Sequence, residues 1–127
     1  MRTRTMKPLF LIFCLCLSPL LMGQNQNKIQ EAMANYDYKT VIRLIDEESA
    51  SPQLLIQKAK ALKGLGRTAE ALSTLQHIII ELPENQQALV EAAECCRQLS
   101  KFNEALGYYR KVMELNPEHI YAHLQYT

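Results

Sequence analysis

The chain has 127 residues, with 14 Lys and Arg against 13 Asp and Glu and a formal net charge of +1. Charges so balanced and interspersed offer no basic field for nucleic acid. The four cysteines include no CxxC pair and do not make the disulfide framework of a small secreted domain.

The first seven residues, MRTRTMK, carry three cations, and residues 8–23, PLFLIFCLCLSPLLMG, carry no charge. The polar stretch QNQNK follows. A basic start, a compact apolar core and a polar exit predict a cleaved secretory signal over residues 1–23. The alternative is a membrane anchor, an uncleaved N-terminal helix. The apolar run is slightly short for a span of roughly 17–25 residues, and it contains Pro19. A lipoprotein is excluded because neither Cys14 nor Cys16 follows a small residue. Cleavage after Gly23 removes Arg2, Arg4 and Lys7, three of the 14 cations, leaving 11 against 13 anions and a net charge of −2.

Residues 25–48 read as a degenerate first helical hairpin, because YDYKTVI (residues 36–42) aligns with GRTAEAL (residues 66–72) at an offset of 30. From Ser51 onward the period is 34. EALSTLQHIIIELP (Glu70–Pro83) returns as EALGYYRKVMELNP (Glu104–Pro117). Identities include Leu55 with Leu89, Ala59 with Ala93, Leu65 with Leu99, and Ala71 with Ala105. Matches fall mainly on small and apolar positions while polar positions vary, as in a packing repeat. Each unit, 52–85 and 86–119, reads as two antiparallel helices. Ser51 is an N-cap and Pro52 suits the first helical turn. Gly66 supplies the positive φ that reverses the chain, and Pro83 ends the second helix. The second unit predicts helices from about Gln86 to Leu99 and from about Asn103 to Leu115, with a stop at Pro117. Residues 120–127 read as the start of a further, truncated helix, leaving Ile120, Tyr121 and Leu124 without a second helix to cover them. The expectation is therefore a fragment of a longer protein, or self-association through the uncapped C-terminal end.

With these residues the sequence resembles the tetratricopeptide repeat family, whose unit is 34 residues. The family's small positions match Ala59, Ala93, Ala71 and Ala105. Its leucine-like position matches Leu55 and Leu89, its bulky position Leu75 and Tyr109, and its proline Pro83 and Pro117. Lys58 and Ala92 stand where leucine is usual, and Leu62 and Cys96 where tyrosine is usual. The resemblance implies an all-α, right-handed solenoid of antiparallel helix pairs without strands. It further implies a concave groove lined by first helices, here Gln53, Ile56, Lys60, Lys63, Gly64, Gln87, Val90, Glu94, Arg97 and Gln98. Ile56 and Val90 would form an apolar line edged by both signs of charge, suited to a peptide or protein partner. Family members that grip acidic chaperone tails use cations and amides at positions held here by Ile56, Lys60, Glu91, Tyr121 and Gln125. Glu91 would repel a carboxylate, so no such clamp is expected.

Other chemistry is sparse. His119 and His123 share a helical face, without a third ligand at motif spacing, so no metal site is assigned. Cys96 falls on a core position and Cys95 is expected to be partly exposed, which leaves a thiol- or metal-handling protein as a minor reading. GLGR (residues 64–67) lacks the Lys-Ser/Thr of a phosphate loop, no serine sits in GxSxG, and Asp46–Glu48 read as a solvated helix end. The chain is therefore expected to be a non-enzymatic, cofactor-free interaction scaffold or adaptor that binds no nucleic acid and leaves the membrane after cleavage, in the periplasm or secreted from a Gram-negative bacterium. The alternative is the repeat portion of a larger exported enzyme or sensor whose active part lies beyond residue 127.

Overall fold

A computed structural model describes residues 23–48 and 51–126, and these form helices joined by short turns, with no strand among them. The first helix, α1, covers residues 23–34. It is followed by α2 (Tyr38–Asp46), α3 (Pro52–Gly64), α4 (Thr68–Glu81), α5 (Gln86–Gln98), α6 (Phe102–Leu115) and α7 (Ile120–Tyr126). Residues 1–22 of the expected signal segment lie outside the described residues. No helix of the described residues is long and apolar enough to cross a membrane.

Two local devices recur along the chain and set its geometry. The first starts α3, α5 and α7. Ser51 Oγ accepts from the Leu54 N–H at 3.3 Å, Asn85 Oδ1 from Ala88 at 3.0 Å, and His119 Nδ1 from Ala122 at 3.2 Å. Each bond satisfies an amide that the helix itself leaves unpaired. These three caps stand 34 residues apart in sequence.

The second device ends α1, α3 and α5. Tyr36 (φ 58°), Gly66 (φ 77°) and Ser100 (φ 60°) take left-handed backbone conformations. After each, an amide reaches back to a carbonyl five residues earlier: Asp37 to Ala32 at 2.9 Å, Arg67 to Leu62 at 2.9 Å, and Lys101 to Cys96 at 2.8 Å. A second bond joins the amide of each left-handed residue to the carbonyl three before it, at 3.2, 3.0 and 3.1 Å. This is the Schellman ending, which satisfies the last carbonyls and reverses the chain. The turn at Tyr36 precedes that at Gly66 by 30 residues, the offset seen in the sequence. Pro83 and Pro117, both exposed, follow α4 and α6 and prevent their continuation.

Each helix packs on the next from α2 to α7, and α3 also touches α5 directly. Stacking of this kind makes the inner helices apolar on more than one side. Leu54 and Ala61 of α3 join a cluster with Ile29, Ala32, Val41, Leu44 and Ile45 from α1 and α2. Ile56, Ala59 and Leu62 of the same helix join the larger cluster built with α4 to α7. Helix α5 is buried at Ala88, Leu89, Ala92, Ala93, Cys95 and Cys96. The small residues of this set let the backbones approach closely. Ala71 and Ala105 are 0 % and 4 % exposed at the helix crossings, and Leu75 and Tyr109, one turn later, fill the adjacent space.

The structure corrects one local reading. Cys95 is not partly exposed: it is 1 % exposed, 34 residues after the fully buried Ala61. Both sit where one first helix meets its neighbours, so a side chain there has no route to water. Lys58, standing where leucine is usual, reaches Asp46 on α2 at 2.6 Å across the surface. The acidic cluster lies at a solvated helix end as expected, with Asp46 and Glu47 exposed, and its other two members pair as well, Glu47 with Arg43 at 3.1 Å and Glu48 with Asn25 at 2.5 Å.

Candidate partner-binding face

The first helices α1, α3, α5 and α7 lie side by side and form one face of the stack. Their side chains meet across three junctions. Between α3 and α5, the Glu91 carboxylate lies between two ammonium groups, Lys60 at 3.3 Å and Lys63 at 2.9 Å. Between α5 and α7, Glu94 accepts hydrogen bonds from the hydroxyls of Tyr109 (2.5 Å) and Tyr121, and Arg97 braces its other oxygen at 3.1 Å. The two phenol rings meet edge to face with centroids 6.2 Å apart. Between α1 and α3 the lining is uncharged: Gln26, Gln30, Ser51, Gln53, Leu54 and Gln57 surround a cleft of about 210 Å³.

Burial opposes ionisation of Glu94, but the hydrogen bonds from Tyr109, Tyr121 and Arg97 together outweigh it and hold its carboxyl below the ordinary value of 4.5. The reciprocal effect falls on the phenols. Burial and the Glu94 carboxylate raise both Tyr109 and Tyr121, so both stay protonated donors at neutral pH.

The residues expected in the groove separate into three groups. Gln53, Lys60, Lys63, Gln87, Val90, Glu94 and Arg97 retain some exposure. Ile56 does not. It is 1 % exposed inside the core cluster, because α3 is covered on both sides and its marginal apolar positions are drawn inward, so the expected line of Ile56 and Val90 is absent. Gly64 and Gln98 belong to another side of their helices, where each meets the preceding second helix. A Cβ built on Gly64 would run into the Tyr38 ring of α2, and Gln98 Oε1 accepts from Thr68 Oγ1 of α4 at 3.3 Å. Of the expected core residues, Leu55 is half-buried, while Ala59, Ala71, Leu75, Leu89, Ala93, Ala105 and Tyr109 are buried.

Two relationships were missed in the sequence. Glu91 was noted only as a charge that repels carboxylates, whereas it joins α3 to α5. Tyr121 is uncovered as expected, 40 % exposed, yet it also donates to Glu94. The signal available for the first was a lysine pair three residues apart, Lys60 and Lys63, with a glutamate in the first helix of the next repeat. The histidines are occupied structurally: His119 caps α7 through Nδ1, and His123 Nε2 lies 2.6 Å from the Pro117 carbonyl oxygen. Among the described residues no three His, Cys, Asp or Glu side chains are grouped to hold a metal ion.

Comparison with known proteins agrees with this architecture. Residues 86–119 match the family profile of the tetratricopeptide repeat. The chain carries the tetratricopeptide repeat fold. The first such domain of Spaghetti (RPAP3), solved bound to the HSP90 peptide SRMEEVD, superposes with a TM-score of 0.70 at 22% identity over 80% of this chain and 84% of that one. The first such domain of human RPAP3, solved by NMR, gives 0.69 at 22% identity with the same coverage. A stretch of 61 residues, 48% of this chain, is 34% identical to the Vi polysaccharide biosynthesis protein TviD of Salmonella typhi. That stretch spans 7% of the length of TviD.

Proposed function

We propose that the chain is an exported, non-enzymatic interaction module that holds a protein or peptide partner on the face formed by α1, α3, α5 and α7. The observation that carries this reading is the division of labour among side chains. Among the described residues no polar or charged residue is buried in the core, while polar and charged groups line the junctions of the first-helix face. Stacked hairpins present that face as an extended inner surface. The RPAP3 domain of the same fold, solved with a bound peptide, supports a peptide or protein as the class of partner. Export rests on the basic, apolar and polar succession of residues 1–27, and the periplasm is the proposed destination.

An acidic chaperone tail is not the proposed partner. Lys60 and Lys63 already share the Glu91 carboxylate, and Glu94 stands in the next junction. A peptide carboxylate would have to displace one anion and approach another.

The test is affinity capture from a periplasmic extract with the chain and with its Lys60→Glu/Arg97→Glu variant, both checked for helicity by circular dichroism. A partner bound by the first and lost by the second supports the reading. Equal retention by both, or capture of nothing, removes it. The match to a short stretch of a much longer biosynthesis protein favours a second reading, in which these hairpins serve a larger exported enzyme or sensor whose activity lies outside residues 1–127. The length of the natural reading frame separates the two.

A further inference from the structure

The first two junctions of the first-helix face are built on equivalent positions, and the third shares one of them. With the offsets of 30 and 34, Gln30 corresponds to Lys60 and Lys60 to Glu94, while Gln57 corresponds to Glu91. In the middle junction the corresponding pair, Lys60 and Glu91, is joined by an ion pair. In the last, Glu94 is held by Tyr121 from the neighbouring helix. In the first, the Gln57 carboxamide oxygen is buried and has no hydrogen-bond partner among the described residues. Buried acceptors are nearly always satisfied, and Gln57 lines the cleft between α1 and α3, so a turn of its carboxamide would present this oxygen to a donor seated there.

We infer that the α1–α3 junction is the docking subsite of this face and that it takes an uncharged peptide unit, a backbone amide or a carboxamide side chain. This rests on the interaction reading given above and specifies its chemistry. None of the six lining residues is charged. A carboxylate or an ammonium group entering the cleft would lose hydration with no opposite charge in the lining to replace it. Glutamine carboxamides each carry donors and an acceptor, as does a peptide unit, so the cleft can meet both the N–H and the C=O of a segment laid along it. The Ser51 oxygen accepts from Leu54, which leaves its hydroxyl hydrogen to donate to a ligand carbonyl. The terminal torsion of Gln57 is soft, so its oxygen can turn toward an incoming N–H. Leu54, 8 % exposed, supplies an apolar floor. The volume of about 210 Å³ lies under the ~300 Å³ at which drug-sized sites begin, which suits one or two residues of a longer partner.

The probe is N-acetylalanine N-methylamide, a neutral peptide unit, with acetate and methylammonium as charged controls. It is titrated into the isotope-labelled full chain while the side-chain carboxamide resonances are followed by NMR. The expected result is saturable shifts at Gln30, Gln53 and Gln57 with the neutral probe, and none at these residues with the controls. Gln57→Leu, which removes the open acceptor, should weaken the probe roughly three- to tenfold. The double variant Gln30→Lys/Gln57→Glu rebuilds the bridge of the middle junction and should abolish the shifts with helicity intact. No saturable shift, equal shifts with a charged control, or unchanged affinity in Gln57→Leu would overturn the inference. A partner lost on charge reversal at Lys60 and Arg97 but kept by Gln57→Leu would leave the interaction module standing and remove this subsite. Probe binding without any captured partner would do the reverse.

Discussion

The carboxylate of Glu94 on α5 receives the buried hydroxyl of Tyr109 on α6 at 2.5 Å, and Tyr121 of α7 donates to the same oxygen. One acidic side chain thereby ties three consecutive helices. Removing a donor leaves a partly buried carboxylate short of a bond, which costs more than the bond itself contributes. Tyr109→Phe should therefore destabilise the chain by about 1–3 kcal/mol, and urea unfolding followed by circular dichroism measures it.

The same carboxylate makes stability depend on acid in a defined direction. Its folded pKa lies below the ordinary 4.5, so the folded chain holds fewer protons on this group than the unfolded chain does. The contribution is complete above the unfolded value and disappears as pH falls through the folded value. Stability measured downward from pH 6 should thus decline below about 4.5, and Glu94→Gln should show a shallower decline over that window than the parent. Parallel curves would mean that Glu94 does not carry the effect.

Ser100 stands where Gly66 stands one repeat earlier, with φ of 60° against 77°. A side chain in this region strains the backbone, whereas glycine adopts it readily. A Cβ at Gly66 would meet nothing within 4 Å, so the effect of substitution there is conformational and not a clash. Ser100→Gly should raise stability by up to about 1 kcal/mol, and Gly66→Ala should lower it by about 1 kcal/mol. Thermal unfolding of the two variants against the parent decides both signs.

Turn geometry also shows what could be read from the sequence. The period of 34, the small residues at helix crossings and the caps at Ser51 and Pro52 are local or periodic signals, and they led to the helices now seen from α3 to α6. The first hairpin was legible through its offset of 30, although α2 has 9 residues where α4 has 14. Nothing local marked Tyr36 or Ser100 as left-handed. Their conformation follows from the need to reverse the chain at a distance set by the packed helices. The face was harder still. Ile56 and Val90 occupy matching positions, yet one is buried and the other is not, because their neighbours on adjacent helices differ. Junction pairs such as Lys60 with Glu91 depend on which helices touch, and spacing along one chain does not reveal that.

Cys95 and Cys96, 1 % and 0 % exposed, should behave as core side chains. Burial pushes the Cys95 thiol up to about 11, with Lys63 opposing that rise, and burial and Glu104 raise Cys96. Thiolate is the reactive form, so at pH 8 both cysteines should react with a thiol reagent only as fast as the chain opens. In a Cys14→Ser/Cys16→Ser variant, the expected record is slow release in buffer and prompt titration of both in denaturant. Rapid reaction of either in the folded chain would show that its helix is not packed as described.

Ala71 and Ala105 test the stacking itself, because their Cβ atoms lie where two helices of one pair cross. Leucine at either position adds volume to an interior with no room for it, so side chains leave their preferred rotamers or the helices separate. Ala71→Leu or Ala105→Leu should each cost about 1–3 kcal/mol. Ala105→Leu also presses on the neighbourhood of Tyr109, so its effect should combine non-additively with Tyr109→Phe, as expected for residues sharing a packed site. A double-mutant cycle by urea unfolding measures this. Strict additivity would mean that the crossing and the Glu94 network are mechanically separate, whereas a coupling term would make α6 the element through which the core positions the Glu94 carboxylate on the first-helix face.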